Sequence, residues 1–528
     1  MSKRKTIALT IIGIFLLISL TIGISYSLWK VNLFQTAANT LATDCFNITF
    51  TEANNIELLN TYPMYDEDGS KLTPYTFTIK NNCASYATYQ VQLEILNTST
   101  LSDQYLKVML DTKTPDLLTN YKEGEITLEN AKSSYILDNN ALDKNEEKTY
   151  NLRVWLDENV TLETEGVQNS TWSAKVTITA KYSDHLPTDY ELCVAKYGED
   201  SVNCSIIAQL DSTGKCPTVN EDGTVEVDEI ESTNGYLCSA PDDYGTSYYF
   251  RGNVENNWVK FAGYYWRILR INGDGSIRMI YAGDASVIDA LDNKEEVLKN
   301  GYNDSSTDYT QIGVSAYNSS SNDNAYVGYM YGTPGSSTYE ETHANINNST
   351  IKTTVDEWYE SHIKGTEYES YISDTLFCND RSLGSNTDSS YSQLAYGTER
   401  TKYRLYNSIN GVTLTCVQQN DRFTVNDESI GNGDLTYPIG LLTTDEAYLA
   451  GGYRSNSGYY LYTGNYYWTM SPYYFNGSYA YVRYVGSSGS ASSYCSVYLS
   501  RGIRPIINLK PNSLNTGDGT ASNPYRIE

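Results

Sequence analysis

Histidine is nearly missing from this chain: 528 residues hold only 3, at His185, His343 and His362. They show no ligand spacing, and no His-Glu-x-x-His occurs, so no zinc-peptidase centre and no metal site are expected. Cysteine occurs 9 times without a Cys-x-x-Cys pair, which speaks against a zinc or redox motif. Positive charge is short as well. Lys+Arg 37 against Asp+Glu 64 gives a formal net charge of -27. Phosphate binding needs clustered cations, so no nucleic-acid partner is expected. The acidity reads as surface solvation that keeps an exposed protein soluble. Gly273 and Gly275 are followed by no helix carrying Lys-Ser/Thr, which excludes a phosphate loop, and nothing in the sequence asks for a cofactor.

One long uncharged run is present, from Thr6 to Trp29, behind Lys3, Arg4 and Lys5. It is long enough to span a bilayer, and the basic flank places the N-terminus inside and the remainder outside. The reading is a signal anchor at residues 1-29, with the membrane met through residues 6-29; a cleaved signal peptide ending near Ser25 or Ser27 is the alternative. An exported chain favours disulfides. The expected pairs are Cys45 with Cys83, Cys193 with Cys204, Cys216 with Cys238, and Cys378 with Cys416, leaving Cys495 single. Sequence leaves other connectivities open.

Tyrosine is what the chain has in excess, at 50 residues. It concentrates in Gly464 to Lys510, where two anchored blocks, Tyr467 to Pro472 and Arg501 to Ile507, bracket a middle of Tyr, Ser, Gly and Asn. Alternation at Ala480, Val482 and Tyr484 predicts a strand, as does Val497 with Leu499, around a flexible tip at Gly486 to Ser493. The mixture matches that of antibody paratopes, where Tyr gives stiff amphipathic contact area and Ser, Gly and Asn give adaptable hydrogen bonds. The candidate ligand-binding face is Tyr473, Tyr474, Asn476, Tyr479, Tyr481, Tyr484, Ser487, Tyr494 and Tyr498. Strict alternation puts Tyr484 with Val482, so it joins only if the pleat breaks near the tip. Trp468, Met470, Val482, Val497, Ile503 and Ile506 are expected beneath as scaffold, with Arg501 and Arg504 as braces.

A chain of this length needs two or three cores. Residues 30-183 read all-β, with alternation at Phe46 to Phe50, Tyr75 to Ile79, Tyr89 to Leu93, Tyr150 to Leu156 and Trp172 to Ile178. Short strands between polar turns predict a β-sandwich; Asp66 to Gly69 reads as one such turn. Residues 184-241 read as a cysteine-containing linker. From residue 242 onward the pattern mixes strands with two helices. Tyr264 to Ile271, the turn Asn272 to Gly275 and Ser276 to Tyr281 make a hairpin. Ser349 caps a helix carrying Ile351, Val355, Trp358, Tyr359 and Ile363 as a core stripe. Thr443 with Glu446 forms a capping box for a short helix that stops at Gly451. The fold class expected is mostly β with some α: a transmembrane helix, a β-sandwich, then an α+β domain.

The Trp468-Thr469-Met470-Ser471-Pro472 block, the patterned strand pair and the closing Gly502-Ile503-Arg504-Pro505 resemble the end of a C-type-lectin-like domain. That class includes sulfatase-modifying-enzyme-like domains and the variable proteins of diversity-generating retroelements. Blocks at Phe377 to Arg381, Asn420 to Val425 and Gly433 to Leu442 extend the resemblance, over residues 242-528, to uncharacterised bacterial surface proteins ending in such a domain. The N-terminal hydrophobic segment, the strand after Pro74 and the Trp172 strand resemble camelysin/TasA-type matrix proteins. These resemblances imply a membrane-anchored, extracellular adhesion protein on the bacterial cell surface, with a protein or glycan ligand. A structural matrix fibre and an enzyme on a lectin-like scaffold are the alternatives. No enzyme is expected, because no nucleophile stands beside a base and the Asp242-Asp243 and Asp445-Glu446 pairs read as solvated loops and helix starts. Arg381 and Arg422 read as structural.

Overall fold

The computed structural model describes residues 62–528 apart from 112–114, 162–163, 165, 168–169, 184, 228–233, 301–302, 305–306, 337, 384–393, 397–409 and 429, together with strands at 31–34, 46–50 and 56–58. The chain is mostly β with some α. Among the described residues no helix is long and apolar enough to cross a membrane; residues 6–29, the expected span, lie outside them. Two compact units are present. One takes the strands up to Met64 with 72–111 and 115–196, the other takes 65–71 and 197–528.

The first unit is two facing sheets. Its strands are β1 (Val31–Phe34), β2 (Phe46–Phe50), β3 (Ile56–Leu58), β4 (Pro63–Met64), β5 (Tyr75–Asn81), β6 (Tyr86–Leu96), β7 (Leu106–Leu110), β8 (Asp116–Leu117), β9 (Ala131–Leu142), β10 (Glu147–Asp157) and β11 (Trp172–Ser183). One sheet runs β1-β11-β6-β9 with β3 on β11; the other runs β2-β5-β10-β7-β8 with β4 on β10. Alternation explains the layering: Phe77 and Ile79 of β5 turn inward while Thr76 and Thr78 do not. Phe77, Ile79, Val91, Leu93, Leu152, Val176 and Ile178 from both sheets meet in one core, the arrangement of a sandwich. The five stretches read as strands from sequence fall in β2, β5, β6, β10 and β11. Helix α1 (Asp189–Tyr197) ends this unit.

The segment read as a linker is more ordered than expected. Besides α1 it carries α2 (Val202–Ile207), which buries Val202, Cys204, Ile206 and Ile207, and it opens the first long strand of the second unit. Asp66–Gly69, read as a turn, closes as a single helical turn.

In the second unit β12 (Gly235–Asp242), β13 (Gly245–Gly252), β14 (Trp258–Phe261), β15 (Tyr264–Ile271) and β16 (Ile277–Asp284) build a sheet. A second sheet uses β17 (Val314–Ala316), β18 (Leu394–Ala395), β19 (Tyr467–Phe475), β20 (Ala480–Val485), β21 (Ser493–Ser496) and β22 (Ser500–Gly502). The last strand, β23 (Ile506–Leu509), returns to the first sheet. The orders are β12-β13-β15-β16-β23, with β14 on β15, and β17-β22-β19-β20-β21, with β18 on β19. The β15–β16 hairpin turns as its sequence demands, with Asn272 N–H donating to Ser276 O at 2.8 Å and Gly275 at φ 94°. Helix α3 (Thr350–His362) starts where Ser349 accepts from Lys352 N–H, and buries Ile351, Val355 and Tyr359. Helix α4 (Thr444–Ala450) has the Thr443–Glu446 capping box and stops at Gly451, φ 123°.

Candidate functional site

The Tyr-rich stretch folds as β19, β20 and β21 of the second sheet. Its floor is dry: Trp468, Met470, Val482, Val497, Ile503 and Ile506 are each 0% exposed. Polar links fix that floor to its surroundings. Trp468 Nε1–H donates to Ser315 O at 2.9 Å, Met470 N–H to Leu442 O at 2.7 Å, and Thr444 N–H to Ser471 Oγ at 2.9 Å. Arg504 is buried, donates to Tyr281 O and Leu461 O, and lies over the Tyr467 ring at 4.9 Å.

Beneath the platform sits a set of buried ion pairs. Arg270 meets Asp242 at 2.6 Å and Glu446 at 3.3 Å, and Arg278 meets the same Glu446 at 2.5 Å. Burial alone would raise the Glu446 carboxyl; Arg278 and Arg270 outweigh it and hold the group below its ordinary value. Arg381 meets Asp421 at 2.6 Å and also donates to Met330 O and Asn345 Oδ1. Arg422 reaches Asp243 at 3.0 Å. These arginines therefore bind carboxylates and carbonyls inside the fold, and the Asp242-Asp243 pair and Glu446 are held by them rather than solvated. The disulfides Cys216–Cys238 and Cys378–Cys416 are present. Cys83, Cys193 and Cys204 are also disulfide-bonded, Cys495 is free and buried, and Cys45 lies outside the described residues.

The three histidines have separate settings. His343 is buried against Tyr396 Oη at 3.0 Å and the Tyr339 ring, and burial, reinforced by Arg381, pushes its pKa down to about 3. His185 faces Glu191 at 3.5 Å, and the Nδ1 of His362 meets Trp358 O at 2.7 Å. No group of three metal-ligating side chains occurs among the described residues.

The candidate face divides into three ring clusters. Tyr473, Tyr481 and Tyr494 form the first, with Tyr473–Tyr494 centroids at 4.1 Å and Tyr481–Tyr494 at 5.9 Å. Half-buried Tyr474 lies 6.1 Å from Tyr473. Tyr479 and Tyr498 pair at 6.3 Å as the second. Tyr494, Tyr479 and Tyr498 are the exposed members, at 49%, 47% and 50%. Asn476 serves the turn: its Oδ1 accepts from Ser478 and Tyr479 N–H, and its Nδ2 reaches Tyr481 Oη at 3.3 Å. Ser487 is exposed at the tip, where Gly489 N–H donates to Gly486 O.

Two expected members are placed differently. Tyr473 is only 4% exposed, under Tyr494 and over the Arg483 guanidinium at 4.5 Å. The β19–β20 pairing shifts register on both sides of Pro472, and such bulges re-aim the residues that follow. Tyr484 points to the opposite side of β20 from Tyr481. It meets Trp468 at 6.3 Å, Tyr466 at 5.8 Å and Arg501 at 5.0 Å, as its alternation with Val482 required. Tyr466, 47% exposed, completes this third cluster and was missed in the sequence. Its position directly before the Tyr467-Trp468 anchor was the available signal.

Between Gly464 and Ser500 the only charged residue is Arg483, and it is 1% exposed, donating to Ser492 O at 2.7 Å. Arg501, just beyond that stretch, lies over the Tyr466 and Tyr484 rings at 5.2 and 5.0 Å. Hydrogen bonding through phenols and amides and ring contact are the interactions the strand pair offers.

A family profile described as a domain of unknown function (DUF6273) matches residues 297–511. This region contains α3, α4 and the whole Tyr-rich stretch. No curated protein matches the chain. Among solved structures, the VP2 subviral particle of infectious bursal disease virus is similar at 8% identity, covering 30% of this chain, with a TM-score of 0.14. The similarity spans about a third of that structure's chain, 33%, and carries no argument here.

Proposed function

We propose that this chain is an extracellular binding protein, held at a bacterial membrane through residues 6–29, that grips an external protein or glycan with the tyrosines of its second unit. The observation that carries the reading is the exposure of Tyr494 on β21 and of Tyr479 and Tyr498 in the connections beside β20 and β21, while the scaffold residues Trp468, Met470, Val482, Val497, Ile503 and Ile506 are fully buried. Exposed aromatics on a rigid base supply contact area at low entropic cost. The exposed phenols suit a ligand recognised by stacking and hydrogen bonds. The disulfides fit an oxidising compartment. A C-type-lectin-like fold, and diversification of Tyr, Asn and Ser codons as in retroelement variable proteins, belong to the same reading. It assigns no catalysis to the face.

The test is a glycan and cell-surface-protein array probed with the full-length protein and with a Tyr479→Ala, Tyr494→Ala, Tyr498→Ala triple variant. The reading expects hits for the wild type that the variant loses. Hits retained by a folded triple variant, or an empty array for the wild type, overturn it. Alignment of close relatives tests diversification separately: variation concentrated at these positions supports it, and variation spread evenly counts against it.

A further inference from the structure

One arginine of the second unit is held unlike its neighbours. Arg270, Arg278, Arg381 and Arg422 each meet a carboxylate, and Arg504 is buried against carbonyls. Arg501, on β22, is half-buried, and among the described residues no carboxylate pairs with it. Its Nη1–H donates to Ser500 O at 2.8 Å, and its buried Nε has no acceptor. No described oxygen accepts from Nη2, which is not sealed from solvent as Nε is. The guanidinium rests instead on two rings, Tyr466 at 5.2 Å and Tyr484 at 5.0 Å, which are 5.8 Å apart and inclined at 64°. Such a seat fixes the cation without neutralising it. The nearby Cys495 thiol does not neutralise it either: burial, partly offset by Arg501, pushes that thiol up to about 11.

The surroundings constrain what could answer the charge. Tyr466 is 47% exposed, and the hydroxyls of Tyr466 and Tyr484 have no partner among the described residues. Gln311 flanks Tyr466, its Nε2–H donating to Tyr466 O at 3.3 Å, and its side chain lies so close over Gly502 that any Cβ there would strike it. A guanidinium edge matches a carboxylate. One cation on a chain of net charge -27 suits a ligand with a single negative charge, since the remaining field repels polyanions. An exposed phenol ring matches the C–H face of a sugar, and phenol and amide groups match its hydroxyls. We infer that the Tyr466–Tyr484–Arg501 cluster binds a singly carboxylated sugar, with its carboxylate on Arg501 and its ring on Tyr466. Tyr484 lies on the opposite side of β20 from Tyr481, so this site goes beyond the reading built on Tyr479, Tyr494 and Tyr498 and stands without it.

The test is ligand-observed NMR on the full-length protein. The probes are the methyl glycosides of glucuronate and galacturonate, their uncharged glucose and galactose twins, acetate, and glucose 6-phosphate. At least one uronide is expected to bind with a Kd on the order of 1 mM. Its uncharged twin and acetate should each bind at least about tenfold more weakly, the size of a lost charge-assisted hydrogen bond, and the phosphate no more tightly than the uronide. Arg501→Gln should bring the uronide down to the level of its twin, and Tyr466→Ala should weaken both roughly threefold. Raising salt from about 0.05 to about 0.5 M should weaken the uronide and spare the twin. Melting temperature and far-UV circular dichroism confirm folding; if Arg501→Gln fails to fold, Tyr466→Ala and the salt response decide. No uronide binding, equal binding of the twin or of acetate, tighter binding of the phosphate, or uronide binding unaffected by these variants overturns the proposal. Uronide binding kept by the Tyr479→Ala, Tyr494→Ala, Tyr498→Ala triple variant separates this site from the other tyrosines; its loss there would assign the sugar to them and overturn the proposal equally.

Discussion

Tyrosine does two opposite jobs within a few residues of the same sheet. Tyr467 is fully buried and spends its hydroxyl on Leu461 O at 2.9 Å, while Tyr479 and Tyr498 hold nearly half their surface in water. The first kind is filler with a polar end that must be satisfied; the second leaves ring surface in solvent. Tyr473 and Tyr494 show the transition in one tilted ring pair, the first ring buried over Arg483 and the second exposed. Tyrosine content therefore does not mark a binding surface. Which side of the pleat a ring takes, and how far from the strand end it stands, decides its use.

The comparison breaks most sharply from below. Glu446→Ala leaves Arg270 and Arg278 buried without their shared carboxylate, and should cost about 3–5 kcal/mol in chemical unfolding. Met470→Ala opens a cavity in the floor and should cost about 2–5 kcal/mol by the same measurement; a loss under about 1 kcal/mol would mean that the floor does not set the platform. Tyr467→Phe removes the buried hydrogen bond to Leu461 O and should cost at least about 0.5–1.5 kcal/mol. Tyr479→Ala and Tyr498→Ala should each stay within about 0.5 kcal/mol of wild type while reducing ligand capture. Equal destabilisation by Tyr467→Phe and Tyr498→Ala would erase the distinction between the two kinds of tyrosine.

Acidity gives one further separation. The Glu446 carboxyl is held below its ordinary value of 4.5 in the folded state. Its stabilisation is therefore complete above that value and is lost as pH falls through the lower folded value. The stability gap between wild type and Glu446→Gln should narrow as pH drops below about 4.5, as followed by thermal melts. A gap that widens on acidification would contradict the ion-pair account.

Local rules carried much of this architecture. The Ser349 cap, the Thr443–Glu446 capping box, the Asn272–Gly275 turn and the strands of the first unit depend on neighbours in sequence, and each stands where the residues placed it. The scaffold under the candidate face was legible for the same reason, because period-2 alternation at Val482 and its neighbours is a local signal. Tyr473 was not legible. The register shift around Pro472 belongs to pairing with a partner strand, and no alternation within β19 announces it. The pairing of Arg381 with Asp421 and of Arg270 with Glu446 joins residues 40 and 176 positions apart. Sequence marked Arg381 as structural without showing its partner, and read Asp242 as part of a solvated loop and Glu446 as a helix start without its arginine partners, when both carboxylates are buried. Residues 184–241 looked featureless because the buried positions of α2 fill almost the whole short helix, which leaves no periodic stripe to detect.

The sole charge of the strand pair, sealed under Tyr473, has a consequence for the binding proposed above. The acidic remainder of the molecule pushes like-charged neighbours apart over about one Debye length, roughly 8–10 Å in ordinary saline. The strand pair that carries the aromatic patch adds one buried cation to that balance and no exposed charge. Attachment through it would draw no speed from long-range attraction and would lose little strength in brine, so the same grip would serve in dilute and in salty surroundings alike.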